Sequence, residues 1–190
     1  MKKLIATLSL LFCFSGITVI KAQEHQRGIY RSAEDFVSRK LSHASKHTHI
    51  KLHEVFKKDI IEVKHNDSNY VYKKQEVFGY KENTGEEFRI HEYKFYQILN
   101  PTEKILLYKM PHGIPQKGQV QAYSYFFSKS ASSSIILPLT LKNIENQFTD
   151  NSKFDEFLET HFKSDNDLLE YDNIHKVYKL NRLYELSLTN

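Results

Sequence analysis

Tryptophan is absent from this 190-residue chain, and cysteine occurs once, at Cys13. Cys13 lies inside the N-terminal apolar stretch, which reads as a cleaved leader, so the chain beyond it carries no thiol. Disulfide staples, thiolate catalysis and cysteine-ligated metal or iron–sulfur centres are thereby excluded, and stability must come from an ordinary core. Only five glycines lie beyond residue 22, in neither a GxGxxG nor a P-loop pattern, which argues against a phosphate cradle. Serines are plentiful, yet no GxSxG or SxxK sets one beside a base, and no HExxH is present.

Charge of one sign is missing too. The chain has 27 basic and 23 acidic residues, and loss of Lys2, Lys3 and Lys21 with the leader leaves 24 against 23. A net charge near +1 gives no electrostatic case for nucleic acid or anionic lipid. Long hydrophobic runs are also lacking. Residues 4–20 are apolar but interrupted by Thr7, Ser9, Ser15, Gly16 and Thr18, short of the roughly 20 apolar residues of a spanning helix. With Lys2 and Lys3 before them and the small Ala22 after, residues 1–22 read as a signal peptide. The expected product is a periplasmic or secreted chain with no transmembrane span.

Aromatics are abundant, with 12 tyrosines and 13 phenylalanines. Residues 23–190 suit one domain with a continuous core, divided by a loop at 111–118 that holds two prolines and two glycines. Before the loop, short β-branched and aromatic runs alternate with turns such as Asn83-Thr84-Gly85-Glu86 and Asn100-Pro101. After it come a strand at 119–127, a serine-rich loop at 128–134 and a short strand at 135–137. Thr140 and a capping box at Ser152-Lys153-Phe154-Asp155 then start helices, and residues 167–190 read as helical with a spacing that also fits strand. Ser32-Ala33-Glu34-Asp35 caps a short early helix. The expected fold is α+β, an antiparallel meander of six to eight strands with C-terminal helices packed on one face.

Histidine gives the one chemically specific cluster: His43, His47, His49 and His53. The i, i+4 pairs align on a helix and His47/His49 aligns on a strand, so only pairs can be brought together. Neutral imidazole suits Zn or Cu, making these four the candidate metal ligands, set against a solvated connector. Asp165-Asn166-Asp167 with Glu170 reads as a helix cap rather than a calcium loop. Glu86/Glu87 and Glu24/Glu34 are the carboxylate pairs available for acid–base work, and Lys57-Lys58 and Lys73-Lys74 are expected on exposed faces. Tyr70, Tyr72, Tyr80, Tyr93, Tyr96, Tyr108, Tyr123 and Tyr125 either fill the core or form a platform for a protein, peptide or glycan partner.

Gly28-Ile29-Tyr30 with Glu34-Asp35-Phe36 resembles the opening of a group of short exported bacterial proteins of unknown function. Val77-Phe78-Gly79-Tyr80, Glu87-Phe88-Arg89-Ile90 and Lys94-Phe95-Tyr96 are similar to the strand region of the same group. The resemblance covers residues 28–110 and implies export and a β-rich core, with no site residues. The expected function is a non-enzymatic binding or structural module of the cell envelope. Metal binding through the histidines and an enzyme with an unrecognised site are the alternatives.

Overall fold

Two-residue alternation builds most of this molecule. The computed structural model describes residues 25–53, 59–113, 118 and 120–189. The signal-peptide reading of residues 1–22, Glu24, Glu54, Lys57-Lys58 and loop residues 114–117 lie outside the described residues. An eight-stranded antiparallel sheet carries the fold, in the order β11-β10-β9-β8-β7-β6-β1-β2. Its strands are β1 (Arg27–Tyr30), β2 (Ser42–Ser45), β6 (Gly79–Lys81), β7 (Glu87–His91), β8 (Lys94–Ile98), β9 (Leu106–Pro111), β10 (Tyr123–Ser128) and β11 (Leu137–Pro138). From β6 to β11 it is the meander that the turn spacing implies. Between β2 and β6, however, β3 (His49–Lys51), β4 (Ile60–His65) and β5 (Ser68–Lys73) form a separate three-stranded sheet.

Cross-strand register sets which residues share a face. Tyr30, Arg89, Tyr96, Ile98, Tyr108 and Phe126 face one way, onto Phe36 of helix α1 (Ala33–Val37) and onto Ala131 and Ile136. Ile29, Tyr80, Phe88, Leu107 and Phe127 face the other way. That second face has two coverings. At the β9–β11 end, Ile105, Leu107 and Phe127 pack on Ile144, Phe154, Leu158, Leu180 and Leu183. These belong to α2 (Leu141–Gln147), α3 (Ser152–His161) and α4 (Lys179–Ser187), so the protein is α+β with its C-terminal helices on one sheet face. At the β1–β6 end, Ile29, Val77, Tyr80 and Ile90 pack on Ile61 and Val63 of the small sheet.

The caps follow the sequence closely. Ser32 Oγ accepts from Asp35 N (3.2 Å) and Thr140 Oγ1 from Asn143 N (3.2 Å). For α3 the cap is Asn151, one residue before the expected Ser152, and its Oδ1 accepts from Phe154 N at 3.0 Å. Each such cap contributes about 1 kcal/mol. Ser164 caps the 3-10 turn Asp165–Leu169, and Asp167 Oδ2 accepts from the backbone of Lys163 and Ser164 (2.8 Å each). Asp167 thus serves as a cap, while Asp165 Oδ1 accepts from the Leu141 backbone at 2.8 Å and Glu170 pairs with Lys179.

Residues 167–190 are not one helix. A hairpin of β12 (Tyr171–Asp172) and β13 (Val177–Tyr178) interrupts them, because Asp172 folds the chain back. Its Oδ1 accepts from the backbone N–H of Ile174 (2.9 Å) and His175 (3.0 Å). Lys74 also departs from expectation: it is buried, its Nζ donating to the His53 carbonyl at 2.9 Å and lying 4.6 Å from the Phe95 ring.

Candidate binding surface

The two coverings of the second face leave a strip of sheet between them. Register places Gln97, Lys109 and Tyr125 in one row across β8, β9 and β10, with Tyr123 two residues along from Tyr125. Tyr123 is 41% exposed and Tyr125 37%. Lys109 Nζ sits 4.9 Å from the Tyr123 ring centroid, a cation–π contact that orients both side chains. At one end of the row, Gln97 Nε2 donates to Glu86 Oε1 (3.0 Å) at the rim of a shallow cleft of about 440 Å³ shared with Thr84, Leu99 and Pro101.

The β12–β13 hairpin lies beside the strip, with the Tyr178 backbone N–H donating to Glu103 in the β8–β9 connection (3.3 Å) and Tyr178 within electrostatic reach of Tyr125. Tyr171, 45% exposed, stands edge-on to Tyr178 at 5.3 Å. Burial, then Glu103, Tyr171 and Tyr125, push the Tyr178 phenol up. Tyr171 also borders a groove of about 370 Å³ with Glu170, Asp172, Lys179, Arg182 and Leu186. The charges there are paired: Asp172 Oδ2 takes Arg182 and His175 Nδ1 (2.9 Å), and Lys179 Nζ donates to Glu170 Oε2 at 2.6 Å. The backbone N–H of His175 foremost holds Asp172 well below the usual carboxylate range. A band of tyrosine faces, amide and phenol hydrogen-bonding groups and one lysine thus runs between the helical layer and the small sheet.

The eight tyrosines singled out from the sequence divide by face. Tyr80, Tyr96 and Tyr108 are buried, Tyr72 is half-buried, and Tyr70, Tyr93, Tyr123 and Tyr125 are exposed. Sequence reasoning missed Gln97, Lys109, Tyr171 and Tyr178. The i, i+2 pair Tyr123/Tyr125 was the available signal, since two tyrosines on one strand face stay exposed only where nothing covers that face.

The four candidate metal ligands are dispersed. His43, on β2, faces Tyr70 and Tyr72, with Nε2 2.7 Å from the Tyr72 hydroxyl. His47 is exposed in the loop, its backbone N–H donating to Ser45 Oγ at 3.1 Å. His49 is exposed on β3 opposite Lys64, and His53 Nε2 lies 3.0 Å from Glu62 Oε1. Among the described residues, no three His, Cys, Asp or Glu side chains stand close enough to share a metal ion. The imidazole that approaches His43 is His65, at 5.7 Å between ring centroids.

Glu86 and Glu87 also part company. Glu86 bonds Gln97 and Thr84, whereas buried Glu87 turns to the opposite face, where both its oxygens accept from Arg39. Among the described residues, no helix is long and apolar enough to cross a membrane. Comparison of the chain with protein-family models, curated proteins and solved structures finds no match.

Proposed function

We propose that this is an exported, non-enzymatic binding module of the bacterial cell envelope, and that its tyrosine strip holds a glycan chain. The observation that carries the reading is the exposure of Tyr123 and Tyr125 on one sheet face, in register with Lys109 and Gln97, together with the exposure of Tyr171 on the neighbouring hairpin. A tyrosine offers a flat apolar face and a polar tip, which suits a ligand whose C–H faces and hydroxyl edges alternate.

The shape of the strip selects among partners. It is about two side chains wide, whereas a standard protein interface takes about 800 Å² per partner. A linear ligand fits it better than a globular one. A peptide strand would seek backbone hydrogen bonds at a sheet edge, but the strip is a sheet face, and β11 already covers Phe126 and Phe127 on the outer edge of β10. One cation among several neutral groups matches a neutral or weakly acidic oligosaccharide. Export rests on the N-terminal pattern of residues 1–22 and on the resemblance over residues 28–110.

A glycan array probed with residues 23–190 tests the reading. Binding to linear oligosaccharides, lost on free-sugar competition, is the expected result. A blank array with a well-folded protein would overturn it.

A further inference from the structure

His43 is held in an unusual conformation. Its φ is 55°, in the left-handed region that residues with side chains rarely adopt. It lies at a bulge, since Arg27 pairs with Ser45 but Ile29 pairs with Ser42, giving β2 one extra residue. Gly28 makes the bulge possible: a Cβ there would stand 2.8 Å from the Ser42 carbonyl oxygen. Strain of this kind persists where the surroundings enforce it. Here it carries the imidazole from the edge of the large sheet onto the small one.

The receiving groups form a defined network. His43 stacks 4.1 Å from Tyr70 and reaches the Tyr72 hydroxyl. The buried Thr48 hydroxyl donates to the His43 carbonyl at 2.6 Å, so Thr48 Oγ1 accepts from His65 Nδ1 at 2.9 Å. Neutral His65 is therefore the Nδ1–H tautomer. The Arg31 guanidinium lies 4.4 Å from the Tyr72 ring.

The segment after β1 brings Arg31, β2 brings His43, and the 46–48 loop brings Thr48 with the exposed Lys46 and His47. From β1, Arg27 donates to the Thr48 carbonyl (3.4 Å) while paired with Glu82, and Asn83 Nδ2 donates to the Lys46 carbonyl at 3.1 Å. The small sheet brings His65, Tyr70 and Tyr72, and its turn carries the exposed Asp67. Among the described residues, no carboxylate makes an ion pair with Arg31, His43 or His65.

We infer that this seam is a proton-released latch, in which protonation of His43, held against His65 and near Arg31, sets a new cation beside an existing one and loosens the small sheet from the large one. Tyr70 attracts an imidazolium as well as an imidazole, but the balance runs the other way. Burial first, then His65 and Arg31, hold the His43 pKa below its ordinary 6.5. The unfolded chain therefore binds the proton more readily, so the latch is fully closed above about pH 6.5 and gives way as pH falls below it. The device is independent of the glycan strip, which lies on β8–β10.

Hydrogen exchange on residues 23–190 at pH 7.5 and pH 5.0, normalised for intrinsic rates, tests the latch. Protection of β4 and β5 amides should drop about tenfold at pH 5.0 while β8 and β9 amides hold theirs. His65→Gln, which leaves the β2 bulge intact, should reduce that drop to about twofold or less. His43→Gln should do the same where it folds. No drop, an equal drop in both sheets, or a full drop in His65→Gln would overturn the inference.

Discussion

Lys109 stands opposite Tyr125 in the β9–β10 ladder, yet its ammonium rests 4.9 Å from the ring of the diagonal neighbour, Tyr123. One lysine thus stands in register with one exposed tyrosine of β10 and against the ring of the other. Surface side chains normally lose entropy when ordered. Here the cation–π contact holds Lys109 and Tyr123 together before a ligand arrives, which lowers the cost of binding against them.

Gly79 is required by close approach of two strands. A Cβ at this position would stand 2.0 Å from the Phe88 carbonyl oxygen, which is backbone and cannot swing aside. Gly79→Ala should cost on the order of 3 kcal/mol, measured by chemical denaturation. A cost within 0.5 kcal/mol would show that β6 and β7 lie farther apart.

Arg89 is buried at 6% exposure without a carboxylate partner among the described residues. Its Nη1 donates to the Tyr108 hydroxyl (2.9 Å) and Ser128 Oγ (3.2 Å), and its Nη2 to the Ser133 carbonyl. Arg89→Ala should lose about 3 kcal/mol through unmade hydrogen bonds and a cavity beside Phe78. Arg89→Met should recover part of that loss, because it restores volume without burying a charge. Equal losses in the two variants would assign the whole effect to the hydrogen bonds.

Asp172 makes the C-terminal hairpin sensitive to acid. Its pKa is depressed below the ordinary 3.8 by the His175 backbone N–H first, with His175 and Arg182 side chains adding to it. The unfolded state binds the proton more readily, so the contribution is complete above about pH 3.8 and declines as pH falls further. Hydrogen exchange of α4 amides between pH 5 and pH 2.5 should show protection falling in the wild type. Asp172→Asn should start lower and change less over the same range. Parallel curves would contradict the account.

Strand existence was legible because alternation survives in any environment, and so the meander from Gly79 to Pro138 and the caps Ser32 and Thr140 follow from the pattern. Partnership was not. Ile60-Ile61-Glu62-Val63 alternates equally well as a meander strand or as the centre of a second sheet, and only packing on Ile29 and Tyr80 decides. The 171–178 hairpin was hidden because Leu168, Leu180 and Leu183 are apolar at helix-compatible spacing while Asp172 makes the turn through side-chain bonds. The histidine stretch read as a connector because its strands are three and four residues long. Its key partner, His65, lies 22 positions from His43, beyond any local spacing rule.

The most direct measurement of the central claim is calorimetric titration of chitohexaose, laminarihexaose and maltohexaose into residues 23–190 and into a Tyr125→Ser, Tyr171→Ser double variant. The account predicts that at least one oligosaccharide binds the wild type, and that the variant binds it at least about tenfold more weakly, about 1.4 kcal/mol, with little change in Tm. Equal affinity in the two proteins, or no heat from any of the three sugars, would contradict it.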